Sequence, residues 1–317
     1  MSSSPESVTR VVVRARRRAA EAVDLFDLAA ADGTPLPAWE PGAHIDLLLP
    51  ADEERQYSLV AGAPDGLWRI AVLREAAGRG GSIWIHNSLA VGKELEARGP
   101  RNLFHFSASP GTPYLFLAAG IGITPIVAMV DAAAAAGVDY VLHYSGRSRE
   151  TMALVQELVD AHPGRVVIHP SDEGERLELA TLAATADPAA VIYCCGPAHF
   201  IEAVEQTMVG HPLHVERFEA KALTEPVFAG DFEVELVLTG TTVTVPPSRS
   251  ILEVAEEAGA FVLSSCREGT CGTCETRVLE GEVDHRDSIL TPEEQARNDV
   301  MYVCVSRAAC PRLVLEL

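Results

Sequence analysis

The chain has 317 residues, 48% of them hydrophobic, and a formal net charge of −20. Its length allows two or three separate cores, and no apolar run reaches the ~18 residues that a membrane-spanning helix needs. The acid excess argues against nucleic acid or anionic lipid as partner and serves either plain solubility or docking to a basic protein face. With no charged-then-apolar leader in Met1-Ser2-Ser3-Ser4-Pro5-Glu6-Ser7, a soluble cytoplasmic protein, expected as a monomer, is predicted.

Residues 1–108 read as an antiparallel β-barrel. Strand candidates are Val11–Val13, His44–Leu48, Tyr57–Val60, Trp68–Leu73 and Leu103–Phe106, punctuated by Asp32-Gly33, Pro41-Gly42 and Asp65-Gly66, with one helix from Gly81 to Leu89. In Arg55-Gln56-Tyr57-Ser58 the strand alternation puts Arg55 and Tyr57 on one face. A cation, a ring and a hydroxyl suit a flavin, although such a tetrapeptide alone is more often ordinary barrel surface. Its weight comes from Gly78-Arg79-Gly80-Gly81-Ser82, where glycines at a helix start expose N–H groups to a phosphate.

From 109 to 222 the rhythm becomes apolar strand, glycine turn, helix, strand, which predicts the parallel sheet of an α/β nucleotide domain. Leu115–Ala118 leads into Gly120-Ile121-Gly122-Ile123-Thr124-Pro125 and an alanine-rich helix that Gly137 ends; further strands are expected at Tyr140–Tyr144, Val166–Ile168 and Val191–Cys194, and a helix after Pro197. The glycine loop departs from the dinucleotide fingerprint, since Thr-Pro stands where a third glycine would lie. Thr124 is expected to cap the helix and Pro125 to sit in its first turn, leaving N–H groups for a pyrophosphate. Cys194-Cys195-Gly196-Pro197 closes another strand at the carboxyl edge, where open α/β sheets bind ligands. Arg147 and Arg149 could clamp a 2′-phosphate, which keeps NADPH open beside NADH.

A linker over 220–230 opens the third segment, 223–317, an α+β domain. Phe232–Leu238 and Thr242–Val245 suit a hairpin about Thr239-Gly240-Thr241, and Ser250-Ile251-Leu252-Glu253 and Thr291-Pro292-Glu293-Glu294 are capping boxes. Cys266, Cys271, Cys274 and Cys304 follow C-x4-C-x2-C with 29 residues before the last, the ligand pattern of a plant-type [2Fe-2S] cluster. A zinc site would pair two C-x2-C knuckles or add histidines, and a disulfide scaffold suits a short secreted chain. Neither fits. The ten histidines form no metal-ligand pattern and no Cys-x-His pair occurs, against a Rieske centre within this chain; Cys194 and Cys310 read as small buried hydrophobes.

In this order, and with Val215-Glu216-Arg217-Phe218 and Tyr302-Val303-Cys304-Val305-Ser306-Arg307, the motifs resemble the phthalate dioxygenase reductase family over nearly the whole chain. The resemblance implies FMN on the barrel, a pyridine nucleotide on the α/β domain and a [2Fe-2S] cluster on a β-grasp ferredoxin domain. Arg55, Gln56, Tyr57, Ser58, Gly80, Gly81 and Ser82 would hold FMN, with Ala71, Val72 and Leu73 lining its ring. Gly120, Gly122, Thr124, Pro125, Arg147, Gly196 and Pro197 would shape the nucleotide pocket. Cys195 beside the nicotinamide and Phe218 beside the flavin would attend hydride transfer, and the four cysteines would bind the cluster. The family's preference makes NADH the expected coenzyme.

The implied function is that of a reductase component. It would pass electrons from NADH through FMN and the cluster to a separate terminal oxygenase, of the Rieske type, that attacks an aromatic ring or an O-methyl group. A cytochrome P450 or other haem partner is the alternative, and a ferredoxin-type module without nucleotide turnover a third. Docking is expected at the face around Cys266–Cys274.

Overall fold

The computed structural model describes residues 8–317; Met1–Ser7, the stretch read for a leader, lie outside the described residues. Two compact units divide the chain, Met1–Glu216 and Arg217–Leu317.

The first unit opens with β1 (Val8–Ala20), β2 (Val23–Ala30), β3 (Ala43–Leu49), β4 (Glu53–Ser58), β5 (Trp68–Leu73), α1 (Gly81–Ser88) and β6 (Glu94–Asn102). The strands make one antiparallel sheet in the order β4-β3-β6-β1-β2-β5. Leu59 bridges Ile70, and Val60 N–H donates to the Arg69 carbonyl, so the two end strands meet and the sheet curls onto itself. Alternate residues fill its interior, among them Val11, Val13, Phe26, Leu28, Ile45, Leu47, Trp68 and Val72.

Two of these strands were not foreseen. β2 buries both faces, so its pattern does not alternate; its acids survive burial because Arg16 and Arg18 hold Asp24 at 2.6 and 2.5 Å and Arg69 holds Asp27 at 2.6 Å. β6 turns only Leu95, Ala97 and Gly99 fully inward, between charged residues. Conversely, Leu103–Phe106 is not a strand. Phe104 and Phe106 instead pack their rings on Tyr193, with Phe106 also edge-on to Tyr114, and so join the core of the next sheet.

That sheet is parallel, as expected: β7 (Tyr114–Ala119), β8 (Tyr140–Gly146), β9 (Val166–Pro170), β10 (Val191–Cys195) and β11 (Leu213–Glu216) lie in the order β11-β10-β7-β8-β9. Between them run α2 (Ile123–Ala136), α3 (Val155–Ala161), α4 (Leu179–Thr185) and α5 (Ala198–Thr207). The strand order reverses between β7 and β10, which creates a switch point where the strands' carboxyl ends leave a crevice. Phe116, Ala118, Leu142 and Tyr144 face α2, and Leu115, Leu117, Ile192 and Cys194 face α5. Gly137, at φ 66°, ends α2.

The second unit holds β12 (Phe232–Leu236), β13 (Thr241–Val245), α6 (Ile251–Glu257), β14 (Glu275–Glu280), β15 (Val283–Asp284), α7 (Pro292–Arg297), β16 (Val300–Tyr302), β17 (Arg307–Ala308) and β18 (Arg312–Leu315). The main sheet runs β13-β12-β18-β14-β16, with β12 and β18 parallel and the other pairs antiparallel. This is the mixed sheet of a β-grasp domain, with Ile251, Leu252, Val254 and Ala255 of α6 buried in its core. Both capping boxes form, Ser250 with Glu253 and Thr291 with Glu294. The hairpin pairs Leu236 with Thr241, so its first strand stops two residues short of the expected Leu238. No helix among the described residues is long and apolar enough to cross a membrane.

Candidate functional site

The start of α1 is built to meet an anion. Gly80 takes φ 92° with open space where a side chain would stand, and the helix has no side-chain cap, so its first N–H groups stay available. Arg55 lies over this turn: a Cβ on Gly81 would stand 2.6 Å from Arg55 Nε. The guanidinium is fixed by Glu53 at 2.9 Å and by the Glu54 carbonyl at 2.8 Å. Ser82 Oγ accepts from Glu75 N–H at 3.0 Å, which closes the loop before the helix.

The flavin-type tetrapeptide divides by face. Tyr57 shares the Arg55 side and packs against the barrel core, and burial pushes its phenol well above the usual tyrosine range. Ser58 Oγ and, in strand register with it, His44 Nε2 are buried with no hydrogen-bond partner among the described residues. Buried orphan groups ask for an external partner, and the polar edge of a bound flavin is one. Gln56 is already engaged, donating to Asp46 Oδ1 at 3.0 Å beside the Arg101–Asp46 ion pair. In β5 only Ala71 and Leu73 face the core shared with the α/β sheet, while Val72 fills the barrel.

The nucleotide loop touches this region, since β5 lies against the Gly120–Gly122 turn. Gly122 is the tightest position. A Cβ there would stand 2.5 Å from Gly196 N and closer still to Cys195 C and O, so the glycine loop and the Cys195-Gly196 turn fit only backbone to backbone. Gly120, at φ 55°, faces open space, room for a pyrophosphate at the α2 N-terminus. Thr124 does not cap α2: the helix begins at Ile123 with Gly122 before it, and Thr124 Oγ1 donates back to the Ile121 carbonyl at 3.0 Å. The tight turn already places Gly122 at the cap, so the hydroxyl reaches backwards. Pro125 sits in the first turn as expected.

Cys195 is fully buried, and burial pushes its thiol up. Its register partner across β10–β11 is Glu216, whose Oε2 is buried without a hydrogen-bond partner among the described residues and whose carboxyl burial raises to about 8. In the sequence Glu216 stands in Val215-Glu216-Arg217-Phe218 with nothing nearby to give it a role. Only the parallel pairing brings it to Cys195. Pro197 caps α5. Arg147 is exposed on the loop after β8, and its carbonyl accepts from Asp172 N–H at 3.0 Å and Ser171 Oγ at 3.2 Å. Phe218 lies in the second unit, with 43% of its surface exposed.

In that unit Cys266, Cys271, Cys274 and Cys304 are all buried, with their sulfurs in mutual hydrogen-bond reach. Glu268 and Thr270 N–H groups donate to Cys266 Sγ at 3.3 and 3.5 Å, and Thr273 Oγ1 lies 3.2 Å from Cys271 Sγ. Bonds from the Cys271 and Cys304 thiols, and after them those from Thr270 and Glu268, hold Cys266 towards thiolate. Gly269 lets the loop close, for at φ 72° a Cβ would stand 2.5 Å from Val305 Cγ2. Among the described residues no three ligands close about a single ion. A two-iron cluster asks for only two cysteines at each iron, so four converging sulfurs suit it. Cys194 is buried as expected, but Cys310 is not a buried hydrophobe: partly exposed, it accepts from Glu282 N–H at 3.2 Å and donates to the Arg312 carbonyl at 3.0 Å.

Residues 236–309 match the family described as a 2Fe-2S iron-sulfur cluster binding domain, and residues 116–206 match the oxidoreductase NAD-binding domain. The phenoxybenzoate dioxygenase subunit beta of Ectopseudomonas oleovorans is 41% identical over 304 residues, covering 94% of each chain. Phthalate dioxygenase reductase, a modular structure for electron transfer from pyridine nucleotides to [2Fe-2S], is 34% identical with a TM-score of 0.67 over 98% of both chains. The chain belongs to the phthalate dioxygenase reductase family. An intact type IV self-sufficient cytochrome P450 monooxygenase is 40% identical with a TM-score of 0.91, and the present chain, 98% covered, spans 41% of it. Like other members of this reductase family, the chain is an oxidoreductase with NAD-binding and [2Fe-2S] domains.

Proposed function

We propose that this protein takes electrons from NADH and delivers them singly, through FMN and the [2Fe-2S] cluster, to a separate Rieske-type terminal oxygenase. The observation that carries the reading is the convergence of four buried thiols in a chain that also holds the Gly122–Cys195 nucleotide turn. FMN, when bound, supplies the exchange between a hydride's electron pair and single electrons. The chain's own residues bind and orient: Arg55 and the α1 N-terminus take the phosphate, Ser58 the flavin's polar edge, and the α2 N-terminus the pyrophosphate. A P450 partner is the second reading, favoured by the 40% identical P450 protein. Anaerobic NADH titration tests the route: flavin bleaching should come with the electron-spin signal of a reduced [2Fe-2S] centre, and bleaching without that signal would refute it.

Gly81→Ala is expected to weaken FMN binding about tenfold, the value of one hydrogen bond to a charged group, because its Cβ drives Arg55 off the phosphate. Fluorescence titration of the flavin-free protein with FMN measures this. Unchanged affinity would remove the α1 turn from the site.

The loop after β9 supports NADH. Arg149 is already bound by Glu173 at 2.8 Å, and Asp172 is tied by its N–H to the Arg147 carbonyl. Two carboxylates beside these arginines oppose a 2′-phosphate, so kcat/KM for NADH should exceed that for NADPH by about tenfold or more. An NADPH preference that collapses in Arg147→Ala or Arg149→Ala would reverse the assignment.

A further inference from the structure

The segment between α6 and the first cluster cysteine, residues 260–265, belongs to no helix or strand and runs directly into Cys266. Its side chains alternate. Val262 packs on the core of the second unit, while Phe261 is 85% exposed and Leu263 45% exposed. A lone exposed leucine is unremarkable, but a phenylalanine bared to that extent, five positions before a cluster ligand, is a large apolar surface left uncovered among the described residues. Its setting is acidic: between 249 and 275 stand two arginines against five glutamates, and over 217–317 nine arginines and lysines against eighteen aspartates and glutamates. Both nearby arginines are spent within the chain, Arg267 on Glu256 at 2.8 Å and Arg249 on Glu257 at 2.6 Å.

From this we infer that Phe261 and Leu263 are the apolar anchor by which the electron-accepting oxygenase docks, seated in an apolar pocket rimmed by lysines and arginines. The inference rests on the proposed function and names the contact through which it works. An aromatic anchor at the centre of a charged surround is the arrangement that concentrates binding energy in protein interfaces. The acidic surround selects a basic protein and disfavours a second copy of this chain, whose matching face carries the same sign. Its place in the sequence also matters, since a partner centred on Phe261 meets the chain where it enters the cluster loop. With a cluster held by the four cysteines, a partner so seated would receive electrons one at a time at its own oxidised metal centre, and NADH would replace them in pairs.

The test uses the whole chain loaded with flavin and cluster, with a set of purified Rieske-type terminal oxygenases and, separately, cytochrome c as a basic one-electron acceptor. Phe261→Ala should raise KM for the oxygenase about tenfold or more and leave kcat at saturation near that of wild type. Phe261→Glu should do the same and steepen the loss as salt rises. The electron-spin spectrum of the reduced cluster and the rate of flavin reduction by NADH should not move in either variant. Unchanged KM for both acceptors in Phe261→Ala would overturn the docking assignment. A wild-type protein that reduces no Rieske-type oxygenase while reducing cytochrome c in a Phe261-dependent way would instead overturn the proposed partner and keep the anchor. A change in the spin spectrum would also overturn it, since Phe261 would then be acting on the cluster loop.

Discussion

Cys304→Ser is expected to cut NADH-dependent reduction of a protein acceptor ~100-fold or more, because a serine oxygen is a poor substitute for one of four thiolates. Reduction of a small soluble oxidant that meets the flavin directly should persist, so the two assays separate. Iron content should fall from about two per chain in the same preparation. A variant that still reduced the protein acceptor at full rate would mean that electrons bypass the four-cysteine site. The residue is the informative one of the four, as it stands 30 positions beyond Cys274 and reaches the loop only through the fold.

Gly122→Ala should slow flavin reduction by NADH ~100-fold, the penalty expected when reacting groups are displaced by about 1 Å. The added methyl has no soft neighbour to push aside: it meets the backbone of Cys195 and Gly196. Either the glycine loop or the thiol turn must move, and both border the proposed nicotinamide seat. Stopped-flow reduction by NADH reads the defect, while chemical reduction of flavin and cluster by dithionite should match wild type. Normal NADH kinetics would show that the nucleotide binds elsewhere.

What could be read in the sequence was what neighbouring residues decide among themselves. The cysteine spacing, the capping boxes at Ser250 and Thr291, and Gly137 at the end of α2 each depend on a few contiguous positions. The misreadings involve partners far along the chain. β2 hid because Asp24 and Asp27 look like solvent-facing breaks until Arg16, Arg18 and Arg69 are seen to neutralise them. Gln56 donates to Asp46 on β3, a partner that the tetrapeptide alone does not announce. Glu216 gained meaning only when β11 paired with β10 and set it opposite Cys195. Phe261 carried no signal, as exposure is not written in a residue's type.

The pairing of β12 with β18 fixes an order of assembly. Glu233 faces Arg312 and Leu236 faces Leu315, so the strand at the centre of the second unit's sheet is synthesised some 80 residues after its neighbour. Contacts that span so much chain form late, because the intervening loop must first be closed. During synthesis the cysteines at 266, 271 and 274 therefore emerge onto a hairpin and helix that still lack their middle strand and their fourth ligand. Iron delivered at that stage would find three thiols on an unfinished support. Metal insertion is therefore expected to wait until the strand at 312–315 has emerged and paired, an interval in which the three earlier thiols stand exposed to oxidation.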